Sequence, residues 1–172
     1  MNKVKLLVLL VLAAALLLAT PASDAQKKPK GAYVAIEVTR FDVKEGVEKF
    51  TADWLITMTE ELVKQLNETR KFKQVLREGE TPADASAPAL KLVGTVTEYK
   101  PGNRAARYMV GFGAGSTKVK AHVKFLDRAT AAVLFEDDVD GKVVMGVIGG
   151  ESVGATRGLA KEVASVTKKQ FF

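Results

Sequence analysis

The chain has 172 residues, of which 47% are hydrophobic, with 26 basic against 20 acidic side chains, a formal charge of +6, one histidine and no cysteine. The missing cysteine excludes disulfide staples, thiol catalysis, and lipid attachment at a cysteine following a signal peptide. A charge excess this modest permits weak attraction to anionic lipid headgroups, glycans or acidic partners, and it gives no indication of nucleic acid.

The N-terminus reads as an export signal. Lys3 and Lys5 form a basic flank, and Leu6–Leu18 is an unbroken apolar run. That run is shorter than the roughly 20 residues needed to span a bilayer. Thr20-Pro21 ends it, and small residues follow, as in a cleavable secretory peptide. The expected cut lies after Ala25, with Ala22 as the alternative. The predicted layout is therefore a signal over residues 1–25, a basic linker over 26–31, and one domain over 32–172. Cleavage would remove two lysines and one aspartate, lowering the formal charge from +6 to +5. The product is expected in the periplasm or secreted, with no stable membrane anchor, and its QKKPK linker is expected to be a solvated tail.

Ala32–Phe41 alternates apolar Val34, Ile36 and Val38 with Ala35, Glu37 and Thr39, the pattern of a half-buried strand. Val47–Thr69 reads as a helix. Val47, Phe50, Trp54, Met58, Leu62 and Leu66 form its stripe, and Leu55, Ile56 and Val63 widen it. Trp54 belongs to the stripe and reads as a core anchor. Phe72–Arg77 is a short strand with Phe72 and Val75 inward. Residues 78–88 (EGETPADASAP) hold three acids and two prolines without apolar periodicity, which predicts a surface loop.

Ala89–Lys100 is a strand apolar on both faces, which predicts a central position. Leu90, Leu92, Gly94 and Val96 share one face, and Val93, Thr95, Thr97 and Tyr99 the other. Ser116–Asp127 alternates most cleanly, with Val119, Ala121, Val123 and Phe125 on one side and Lys118, Lys120, His122 and Lys124 on the other. Residues 127–131 (DRATA) form a turn into a strand over Ala132–Val139. Gly141–Gly150 is apolar and glycine-rich, with room for a short strand over Lys142–Val147. Ser152 is placed to cap a C-terminal helix whose stripe is Thr156, Leu159, Ala160, Val163, Val166 and Phe171. The order β-α-β-β-β-β-α predicts an α+β two-layer sandwich, with a mostly antiparallel sheet of about five strands and two helices on one face.

Gly102-Asn103-Arg104-Ala105-Ala106-Arg107-Tyr108, the run Gly111–Gly115, the alternating strand to Asp127, the turn with Thr130 and the Gly149-Gly150 pair together resemble a bacterial exported-protein family called domain of unknown function 4410. That resemblance implies an exported α+β domain and brings no catalytic residues. The family's turn usually has glycine after the threonine, where this chain has Ala131.

The glycine run resembles a phosphate-cradling loop, but a strand follows it where such a loop needs a helix N-terminus. Arg104, Arg107 and Tyr108, with Gly111, Gly113 and Gly115, are the candidate contact residues. The two guanidiniums suit an anionic or glycan headgroup, although surface pairing with acids of this chain, Glu98 or Asp127, is the favoured reading. Met109–Gly115 and Val143–Gly150 are candidate self-association segments. His122 stands among lysines without a carboxylate at ligand spacing in the sequence, and Asp137, Asp138 and Asp140 read as a polar strand end, so no metal or cofactor is expected. No nucleophile–base–acid set can be assembled. The expectation is a non-catalytic envelope domain that binds a protein, an envelope polymer or itself. The alternative is a module holding a small ligand or lipid between helix and sheet near Trp54.

Overall fold

The computed structural model describes residues 29–102, 117–142 and 151–172. The elements run β1 (Ala35–Val38), β2 (Asp42–Val43), α1 (Ala52–Glu68), β3 (Gln74–Arg77), β4 (Ala89–Lys100), β5 (Lys118–Asp127), β6 (Val133–Lys142) and α2 (Glu151–Phe171). This is the expected α+β order with one short strand added. The signal region, the segment from Arg104 to Gly115 and Val143–Gly150 lie outside the described residues, so the short strand expected over Lys142–Val147 does too, beyond Lys142.

The sheet has the order β3-β1-β4-β5-β6, with β2 pairing β4 beyond the end of β1. β4, β5 and β6 form a long antiparallel meander. β1 pairs in parallel with both β3 and β4, so the sheet is mixed. The helical crossover from β1 to β3 is what permits parallel neighbours. β1 is not half-buried, as its alternation suggested: all four of its residues are buried. It lies between two strands, and the 78–88 segment passes beside the strand next to it, where the Ala83 N–H donates to Gln74 Oε1 at 3.0 Å and Pro82 is buried.

The β4 and β5 boundaries match their patterns closely, and Val119, Ala121, Val123 and Phe125 are all fully buried. One assignment on β4 changes. The ladder slips between Val96 and Glu98, so Val96 faces Ala121 while Tyr99 faces Val119. The extra residue of this bulge turns Tyr99 to the core side. There its ring meets Phe50 edge-on at 5.3 Å.

α1 starts at Ala52, with Thr51 extended before it, so Val47 and Phe50 precede the helix. Phe50 is buried nonetheless. Within α1, Ile56 is 57% exposed and Gln65 is 8% exposed, which narrows the stripe expected from the sequence. Trp54 packs against the core while partly buried. α2 begins at Glu151, which places Ser152 inside the helix rather than ahead of it. The two helices lie side by side and parallel: Arg157 of α2 meets Glu61 midway along α1, and Phe172 meets Phe72 just past the C-terminal ends of both.

Between helices and sheet lie Met58, Leu62, Leu66, Leu159 and Val163 against Ile36, Leu90, Leu92 and Val123, all fully buried. Burying each such aliphatic side chain stabilises the fold by about 1.5–3 kcal/mol relative to leaving it exposed. Two glycines give close approaches. A Cβ on Gly94 would lie 2.5 Å from the Phe41 ring, and one on Gly141 would strike the backbone of α2. Gly94 thus admits Phe41 where the chain jogs between β1 and β2.

Candidate interaction surfaces

The face of the β4-β5-β6 meander away from the helices carries a ladder of charge. Lys120, His122 and Lys124 of β5 stand directly opposite Asp140, Asp138 and Glu136 of β6. Lys124 Nζ lies 3.3 Å from Glu136 and Lys120 Nζ 3.7 Å from Asp140. Lys120 also reaches Glu98, which accepts a 2.7 Å contact from Lys100. The Lys100 contact comes first in holding the Glu98 carboxyl below its usual range, with Lys120 and Lys118 adding to it.

This arrangement corrects two sequence expectations. His122 does have carboxylates beside it: Nδ1 lies 2.8 Å from Asp138 Oδ1 and Nε2 3.7 Å from Glu136. Glu136, Asp138 and Asp140 are the partners of the β5 stripe, while Asp137 stands opposite Val123. Their spacing of two residues along β6 was visible in the sequence, but the register that sets them opposite β5 was not. Among the described residues, no group of three or more His, Asp or Glu is arranged to hold a metal ion.

A second cluster sits at the other end of the sheet. Glu37, buried in β1, accepts a 2.6 Å bond from Arg128 Nε, and Lys91 Nζ lies 3.8 Å away. Asp127 accepts the Ala129 and Thr130 N–H groups through Oδ1, closing the β5–β6 turn. Its Oδ2 lies 3.5 Å from the buried Tyr33 hydroxyl. Burial first, then the Asp127 charge and hydrogen bond, push the Tyr33 phenol above its usual range. Ala131 in this turn has φ +57°, the left-handed conformation that glycine adopts without strain.

Between the helices, Glu61 Oε1 accepts from Arg157 Nε at 3.2 Å and Nη2 at 3.1 Å. Glu61 Oε2 is buried without a partner among the described residues. Outside α1, Arg77 donates to Glu60 through Nε and Nη2, and that contact lowers the Glu60 carboxyl.

The candidate contact residues Arg104, Arg107, Tyr108, Gly111, Gly113 and Gly115 lie outside the described residues. The ends of their segment do not: the Gly102 N–H donates to Thr117 Oγ1 at 3.0 Å, and Lys100 pairs with Lys118. The acids suggested as arginine partners, Glu98 and Asp127, are engaged by the contacts above. The layer between α1 and the sheet, the site of the alternative ligand reading, is filled by the side chains of the core. Neither Glu37 nor Arg128 is among the candidate residues read from the sequence. An acid inside the apolar run AIEV was the available signal, since a buried strand takes a charge only when it is paired.

At the C-terminal ends of the two helices, Lys30, Arg70, Lys71, Lys73, Lys168 and Lys169 are all exposed. Lys30 Nζ donates to the Lys169 carbonyl at 3.0 Å, and the Gly31 N–H donates to the Phe171 carbonyl at 2.7 Å. The end of the linker is therefore pinned to α2 rather than free. Lys71 Nζ sits 5.8 Å over the Phe172 ring, which contacts Phe72 edge-on at 5.2 Å.

A family model described as domain of unknown function (DUF4410) matches residues 51–160. The PelC dodecamer structure from Paraburkholderia phytofirmans is similar in fold, with TM-score 0.54 and 15% identity, over 85% of this chain and 95% of that one. A Xanthomonas campestris protein assigned to DUF330 gives TM-score 0.54 at 11% identity, over 83% of this chain and 87% of that one. A hypothetical protein of Chlamydia trachomatis gives 0.52 at 9% identity, over 80% and 97%. No curated protein matches the chain in sequence. At these identities the structural likenesses establish a shared fold.

Proposed function

This chain belongs to the DUF4410 family, and from that premise we propose that it is an exported, non-catalytic envelope protein acting by contact with a protein, an envelope polymer or further copies of itself. The observation that carries the binding reading is the filled interior. With Met58, Leu62 and Leu66 fully buried against the sheet, contact falls to the outer surfaces. The absence of cysteine removes thiol chemistry from the roles open to it. The basic flank and apolar run at the N-terminus support export. PelC, similar in fold, forms a dodecamer, and self-association of this chain is one form the proposal takes.

The test is fractionation of cells expressing the full chain, followed by light scattering and affinity capture from envelope extract. The proposal expects product in the periplasm or medium, together with an oligomer or a reproducible envelope partner. A cytoplasmic product, or a strict monomer that captures nothing, contradicts it.

A further inference from the structure

We propose that the surface where α1 and α2 end together docks on an anionic phospholipid membrane, in a chain that has no cysteine through which to carry a lipid. The proposal rests on the export reading, which supplies the membrane.

Elsewhere, many bases are spent on acids of the same chain. Arg77 pairs with Glu60, Arg128 and Lys91 with Glu37, Arg157 with Glu61, and Lys120 and Lys124 with acids of β6. At the helix ends the pattern stops. Lys30, Arg70, Lys71, Lys73, Lys168 and Lys169 have no carboxylate partner among the described residues, and Glu68 lines a shallow groove between the helices with Lys168 and Lys169.

Helix dipoles account for part of this, because cations are favoured at a helix C-terminus. They account for Lys168 and Lys169, in the last turn of α2. They do not account for Lys30, which arrives from the N-terminal side, or for Lys73 at the start of β3. The last turn of α1 itself holds no base.

Two further observations favour a membrane over an acidic protein or polysaccharide. Phe72 and Phe172 lie half-buried among the bases, giving the apolar-and-cationic mixture that suits a headgroup boundary. The chain also enters the domain on this surface at Lys30, and two further lysines, Lys27 and Lys28, precede it in the sequence. Each base near an anionic membrane surface adds attraction that fades within a Debye length.

The test is flotation of the full-length gene product with two kinds of vesicle: pure phosphatidylcholine, and phosphatidylcholine with about one-third phosphatidylglycerol. The readout is the ratio of affinities for the two. Mass spectrometry of the N-terminus reports on export separately, so a failure of export and a failure of docking are distinguishable. The patch variant is Lys71→Glu with Lys169→Glu. The charge-matched control is Lys44→Glu with Lys49→Glu, ahead of α1. The patch variant should lower the affinity ratio by about tenfold and the control by less than about twofold. Should the patch variant fail to fold by circular dichroism, Lys71→Gln with Lys169→Gln replaces it, with the same direction expected. Equal losses in patch and control variants overturn the proposal. So does a wild-type ratio near one, or retention on an acidic polysaccharide without preference for anionic vesicles.

Discussion

Arg128 Nε lies 2.6 Å from Glu37 Oε2, joining the β5–β6 turn to the buried strand β1 across the sheet. Lys91 stands beside the same carboxylate. Removing one partner of a buried charge leaves that charge uncompensated, which is costly. Arg128→Ala should therefore destabilise the protein by about 2 kcal/mol, less than for a fully enclosed pair because the arginine is partly exposed. Urea denaturation measures this. A loss within error of zero would mean that Lys91 alone satisfies Glu37.

Ala131 occupies a left-handed conformation in the turn after Asp127, with φ +57°. An alanine there carries strain that glycine lacks. Ala131→Gly should raise stability by about 0.5–1 kcal/mol, although glycine costs more backbone entropy on folding. Thermal and urea midpoints should both rise, whereas a fall would mean that the turn relaxes in solution.

Gly94 faces the Phe41 ring, with 2.5 Å between the ring and the position a Cβ would take. Gly94→Ala should cost about 1–3 kcal/mol through overpacking. Adding Phe41→Leu should recover part of that loss. A double variant whose losses simply add would remove the steric explanation.

Burial and Asp127 hold the Tyr33 phenol above its usual range. A group whose folded pKa is raised contributes stability that is fully present below its unfolded value, about 10 for tyrosine. That contribution is lost as the pH climbs through the folded value. Ultraviolet titration should show a tyrosine ionising above the usual range, and Tyr33→Phe should remove that late component. It should also flatten the alkaline fall in stability.

Much of the fold was legible because its signals are local. The alternation of β5 places Val119, Ala121, Val123 and Phe125 in the core, as read from the sequence, and β4 has the limits its pattern gives. The misses arise where tertiary contacts override pattern. Thr97 looks like an ordinary alternating residue, yet the bulge beside it redirects Tyr99 to Phe50. Ile56 fits the helical stripe but projects beyond the packed layer, while Gln65 lies within it. The charge ladder was half legible: the lysine stripe and the acid cluster were both visible, but only the β5–β6 register sets them opposite each other. The basic surface at the helix ends was hidden because Lys30 and Lys169 come together only on folding.

The most direct test of the proposal that this protein acts by contact in the envelope is crosslinking mass spectrometry in intact cells expressing the full chain. The account predicts intermolecular crosslinks to envelope proteins or to other copies of the chain. Crosslinks confined to single molecules, or reaching only cytoplasmic proteins, would contradict it.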